Sequence, residues 1–154
     1  MKKTILLCAV IFLLSQSVFA QSETKMAFGL GPEWNMNSRD NFAGGASLSF
    51  DYNLFRSFAA GLSFTASNNF DGITVLEPSA LFRWYFLGRG HEGLFAQAEA
   101  GVFVVLEDGD TTPLFLGGLR AGMRLPIGRF YMEPFGRIGY PFAFGVGAMA
   151  GVNF

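Results

Sequence analysis

The sequence has one cysteine, Cys8, inside an apolar N-terminal run. Beyond that run no thiol is present, which excludes a disulfide framework, a thiolate metal ligand and a cysteine nucleophile. Histidine also occurs once, as His91, so no imidazole pair exists for a metal centre or a relay. Lysine stops at Lys25, after Lys2 and Lys3. With no basic patch there is no electrostatic footprint for nucleic acid. After the N-terminal run, no stretch reaches the 18 or so uninterrupted apolar residues of a spanning helix. Helical 3.6-residue periodicity is missing as well.

The N-terminal residues are read separately. MKK is basic, ILLCAVIFLL is apolar, and SQSVFA ends in a small-x-small pattern at Ala20. This is the layout of a secretory signal, residues 1–20, cleaved after Ala20. An uncleaved anchor is the alternative, but the apolar run is short for a bilayer core of about 30 Å. Cys8, with bulky neighbours, reads as an ordinary apolar signal residue rather than a lipidation site. One domain remains, residues 21–154. Lys25 and eight arginines oppose twelve carboxylates, so its net charge is 9 − 12 = −3.

Phenylalanine and glycine dominate this domain, arranged with period two. Eight strands are predicted, at 26–35, 41–53, 57–67, 73–87, 93–106, 113–125, 129–140 and 142–154. Turn chemistry separates them: NMNSRD, NLFR, SNNFDG, LGRGHEG, EDGDTT, LPIGR and the Gly139-Tyr140-Pro141 corner. One face of each strand is apolar, with residues such as Phe28, Leu62, Phe82 and Leu119. The other face holds every charge placed within a strand: Glu33, Asp51, Glu77, Arg83, Glu99, Arg120, Arg124, Glu133 and Arg137. Between those charges it is mostly Gly, Ala, Ser and Thr.

Alternation alone does not say which face points outward. The charged face is too sparsely charged for a water-exposed surface, and its small residues suit the cramped inside of an eight-stranded closed sheet. Aromatics on the apolar face gather near strand ends, at Trp34, Tyr52, Phe58, Trp84, Phe86, Tyr140, Phe142 and Phe154, where interfacial girdles belong. A sheet in lipid must close on itself, because an open edge leaves backbone groups unpaired. The expected fold is therefore all-β: a closed antiparallel eight-stranded up-and-down transmembrane β-barrel, residues 21–154, with grease outside and ions inside.

The final segment, FGVGAMAGVNF, carries Val146, Ala148, Ala150, Val152 and Phe154 in one alternating row. It resembles the C-terminal signal read by the outer-membrane assembly machinery. The signal peptide and eight strands together resemble the small outer-membrane β-barrel proteins, the group of the OmpA transmembrane domain, OmpX and OmpW. FRWYF and YMEPFGRIGY are similar in style to small spirochaetal barrels. The resemblance implies an outer-membrane location in a diderm bacterium with both termini periplasmic. It implies lipid, the assembly machinery and periplasmic chaperones as partners, a monomer, and no cofactor. A peptidoglycan-anchoring role is not carried over.

Two functional readings follow from the interior charges. Buried charges need partners, so they are expected to form a salt-bridge network that plugs the barrel, giving a structural role in the envelope. Alternatively they line a narrow channel for small or hydrophobic solutes; the small residues of strands 2, 3 and 8 then leave a cavity along one wall. Catalysis is not expected, because His91 has Glu92 beside it but no serine nearby. Glu107, Asp108 and Asp110 fall short of a calcium-loop pattern and read as a solvated turn. Pro78 and Pro134 fall inside predicted strands, where a closed sheet has no edge for them. Bulges, strand ends or misplaced boundaries are the expected accounts.

Overall fold

In the computed structural model, residues 25–36, 42–55, 57–69, 72–87, 92–107 and 110–154 are described. The signal segment with Cys8, the histidine His91, and the loop residues Asp108 and Gly109 lie outside them. Eight strands are present: β1 (Met26–Met36), β2 (Phe42–Phe55), β3 (Phe58–Asn68), β4 (Thr74–Leu87), β5 (Gly93–Glu107), β6 (Asp110–Ile127), β7 (Phe130–Tyr140) and β8 (Phe144–Asn153). Each pairs antiparallel with its sequence neighbour, and β8 pairs with β1, so the barrel is closed. The closing strands are latched at one end, where the Met26 N–H donates to Phe154 O at 3.0 Å and the Phe154 N–H donates to Met26 O at 2.9 Å.

One row of partners runs Met26, Tyr52, Ala60, Phe82, Ala98, Leu119, Ile138, Phe144 and back to Met36. The return is displaced by 36 − 26 = 10 residues, which is the shear of the barrel. Eight strands with that stagger tilt by about 40° to the axis. A narrow bore of this kind has room for side chains and little else.

The two faces are cleanly separated. Leu62 is 65 % exposed, Phe82 49 %, Leu119 58 % and Phe130 65 %. Glu33, Asp51, Arg83, Arg124 and Glu133 are each fully buried. This inverts the arrangement of a water-soluble sheet, in which charge faces solvent and the aliphatic face is withdrawn. The aromatic girdle is present at Trp34, Tyr52, Trp84, Phe86, Tyr140 and Phe154, all exposed. Phe58 stacks on Trp84 at 6.4 Å, and Trp84 meets Phe86 at 5.5 Å.

Three expectations need correction. Phe142 is not part of the girdle: β8 begins at Phe144, so the alternation never reaches Phe142, and its side chain is buried. The break expected over EDGDTT is shorter than expected: β6 begins at Asp110 rather than at 113, with Thr111 paired to Leu106 and Thr112 to Val105. The β-branched threonines suit the ladder and prolong the hairpin.

The third correction concerns proline. Pro78 and Pro134 are neither bulges nor strand ends. Beside Pro78 the β4–β5 ladder passes from Leu76–Val104 to Ser79–Gly101, three residues on along each strand, with no register shift between. Beside Pro134 the β6–β7 ladder passes from Gly122–Phe135 to Leu125–Met132 in the same way. Pro32 repeats the arrangement between Leu30–Ala150 and Glu33–Gly147. In each case the residue after the proline pairs with a glycine: Glu33 with Gly147, Ser79 with Gly101, Phe135 with Gly122. The proline carbonyl crowds the glycine Cα, where a Cβ would lie within 2.8 Å of the Pro32 oxygen and nearer still to that of Pro78. The missing N–H thus falls where the ladder to one neighbour is interrupted, while the other flank stays paired, Pro32 with Ala46, Pro78 with Phe64 and Pro134 with Ala148.

A charged lumen as the candidate functional site

The register and the stagger sort the interior into levels. Nearest the chain termini lie Tyr85 and Tyr131. Next come Asp51, Arg83, Arg124 and Glu133. A second charged layer, Glu33, Glu77, Glu99, Arg120 and Arg137, sits toward the other end. Buried Leu116 and Phe103 lie beyond it. All nine charges proposed from the sequence therefore project inward, each at most 6 % exposed.

The terminus-side layer is a closed square. Arg83 donates to both oxygens of Glu133, at 2.9 Å through Nη1 and 3.0 Å through Nη2. Arg124 Nε donates to Glu133 Oε2 at 2.6 Å, and its Nη2 donates to Asp51 Oδ2 at 3.0 Å. Arg83 Nη1 returns to Asp51 at 3.3 Å. Each charge meets two of opposite sign, and the planar guanidinium forks fit the carboxylates side-on.

The second layer centres on Glu33. Its Oε1 accepts from Arg137 Nη1 at 2.6 Å, and its Oε2 from Arg120 Nη2 at 3.3 Å and from the Ser47 hydroxyl. Arg137 Nη2 donates to Glu77 Oε2 at 2.7 Å. Arg120 Nε lies 3.2 Å from Glu99, which also accepts from the Gln97 amide.

On its β8 side the small-residue wall, expected to border a cavity, is covered by rings. Three inward aromatic rings lie along the wall, each sandwiched between a guanidinium and its paired glycine on the adjoining strand. Arg124 Cζ lies 4.0 Å from the centre of the Tyr131 ring, which fills the notches at Gly29 and Gly151. Arg120 lies 4.1 Å over Phe135, which rests against Gly147. Arg83 lies 4.2 Å over Phe95, which rests against Gly122. The ring faces take up cationic faces that the carboxylates, lying in the guanidinium planes, leave uncovered. Period two already places Tyr85, Phe95, Tyr131 and Phe135 on the charged side of their strands; that parity was the available signal for the interior rings.

Outside the wall, burial pushes the Glu92 carboxyl up from its ordinary value. Among the described residues no group of His, Cys, Asp and Glu is arranged to hold a metal ion. Among the described residues there is no helix long and apolar enough to cross a membrane, which leaves strands untouched as a means of crossing.

No family model matches the sequence, and no curated protein matches it significantly. Solved structures do match. The N-terminal β-barrel domain of Pseudomonas aeruginosa OprF superposes with a TM-score of 0.58 at 16 % identity, covering 87 % of this chain and 100 % of that one. Neisserial surface protein A gives 0.60 at 12 % identity, over 86 % and 98 %. A designed transmembrane β-barrel gives 0.55 at 10 % identity, over 87 % and 98 %. At such identities the likeness is one of architecture, and that architecture is the small eight-stranded outer-membrane barrel.

Proposed function

We propose that this protein is an integral outer-membrane β-barrel with a sealed lumen, serving a structural role in the envelope rather than passing solutes. The observation that carries this reading is the interior: nine buried charges in two ion-paired layers, with aromatic rings wedged between them and the glycine wall. A water-filled channel requires solvated polar walls, whereas each of these four guanidinia is buried and ion-paired to a carboxylate. The apolar exterior, with aromatics at both rims, supports immersion in lipid.

In this reading both termini face the periplasm, and the barrel works as a monomer surrounded by outer-membrane lipid. Periplasmic chaperones deliver it, and the assembly machinery recognises Val146, Ala148, Ala150, Val152 and Phe154 on the closing strand. No catalytic residue is assigned.

Two measurements test it. The folded protein in detergent is expected to migrate differently on a gel before and after boiling. In planar bilayers it is expected to show no unitary conductance, and Arg120→Ala or Glu99→Ala is expected to introduce leakage. Steady conductance in the unaltered protein, lost in those variants, establishes the channel reading instead.

A further inference from the structure

The charges of the two lumen layers do not balance equally. In the terminus-side layer, two arginines face two carboxylates, 2 − 2 = 0. In the second layer Arg120 and Arg137 face Glu33, Glu77 and Glu99, 2 − 3 = −1. A surplus buried charge without a counter-charge costs several kcal/mol.

The surplus is localised. Both oxygens of Glu33 are engaged, and Glu99 is held by Gln97 and Arg120. Glu77 is held by Arg137 through Oε2 alone, and its Oε1 has no partner. Two further buried polar side chains of the lumen are also without hydrogen-bond partners: the Ser67 hydroxyl, and the amide of Asn35 through both its atoms. Ser67 lies two residues beyond Thr65, the β3 partner of Glu77, and Asn35 is two residues beyond Glu33 on β1. Asn35, Ser67 and Glu77 are at most 3 % exposed. The charged groups facing Glu77 are Arg137 from β7, Glu33 from β1 and Glu99 from β5, with Arg120 from β6 bound to the last two.

We propose that the second layer binds a single positive charge at Glu77 Oε1, either a monovalent cation or a proton, with the Ser67 hydroxyl and the Asn35 amide as the unpartnered polar groups nearest to hand on β3 and β1. A carboxylate, a hydroxyl and an amide carbonyl are hard oxygen donors, suited to an alkali cation. One unit of positive charge closes the layer's ledger, whereas a divalent ion overshoots it. A proton on Glu77 Oε1 closes it equally, donating to a neighbouring oxygen.

The test compares thermal unfolding of the purified full chain with Glu77→Gln and Glu33→Gln. Buffers contain either sodium chloride or N-methylglucamine chloride at equal concentration, at pH 5 and pH 8. Glu77→Gln keeps the acceptor for Arg137 and removes the surplus charge, so its midpoint is expected to equal or exceed that of the unaltered protein. Glu33→Gln, which weakens two ion pairs, is expected to lower it. If the source is a cation, the unaltered protein unfolds at lower temperature without sodium and Glu77→Gln does not. If the source is a proton, the midpoint of the unaltered protein falls between pH 5 and pH 8, because the folded state holds a proton that the unfolded carboxylate releases; Glu77→Gln loses that fall. The inference is overturned if Glu77→Gln is destabilised as much as Glu33→Gln, or if it and the unaltered protein respond alike to both variables.

Discussion

Arg83 and Glu133, on strands three apart around the barrel, meet across its bore through two parallel hydrogen bonds of 2.9 and 3.0 Å. Neither is accessible to solvent. Such a pair is costly to break by halves, because the survivor is left buried and unpaired. Glu133→Ala is expected to destabilise the folded barrel by about 3–5 kcal/mol. Replacing Arg83 by Met and Glu133 by Leu together is expected to cost much less than the sum of the single changes. Urea unfolding in lipid vesicles, monitored by tryptophan fluorescence, reads both.

The ring-on-glycine contacts give a second expectation. A methyl group at Gly147 collides with the Phe135 ring and with the carbonyl of Pro32. Gly147→Ala is therefore expected to destabilise by about 1–3 kcal/mol through overpacking. Shortening the ring in Gly147→Ala/Phe135→Leu is expected to recover part of that loss. An unchanged deficit in the double variant assigns the strain to the Pro32 backbone alone.

Leu119 is 58 % exposed and sits in the apolar belt. On a water-soluble protein, a surface change there falls within about 0.5 kcal/mol of neutral. In lipid, Leu119→Arg is expected to cost about 2–4 kcal/mol near the midplane. A hydrophobic photoprobe dissolved in the membrane is expected to label Leu62, Phe82 and Leu119. Free access of a water-soluble reagent to cysteines placed at those positions contradicts the membrane reading.

In the proposed reading, Phe154 allows recognition to be separated from closure. Its backbone forms two latching hydrogen bonds with Met26, while its ring is 49 % exposed. Phe154→Ala keeps the latch and removes the ring. In cells it is expected to reduce the heat-modifiable, membrane-inserted fraction; in refolding from urea it is expected to change little. Equal loss in both settings assigns the ring a structural role instead.

The architecture is legible in the sequence because period two is a local property. Phe82, Trp84 and Phe86 alternate with Arg83 and Tyr85 within five consecutive residues, and the turn residues punctuate the rest. The partners of the charges are not local. Arg83 is fifty positions from Glu133, and Arg137 is 104 from Glu33. Those meetings follow from shear, which no short window contains. Proline was misleading for a related reason: Pro78 keeps its place in the ladder through Phe64, on another strand. The inward rings of Tyr131 and Phe135 were available from parity alone, yet small neighbours such as Gly151 suggested empty space that the rings in fact occupy.

The three prolines stand next to lumen carboxylates: Pro32 before Glu33, Pro78 after Glu77 and Pro134 after Glu133. At each, the ladder to one neighbour is interrupted beside a carboxylate that arginines of other strands hold across the lumen. The ion lattice therefore ties the staves together from within at the heights where the backbone lacing is thinnest, much as spokes hold a rim true.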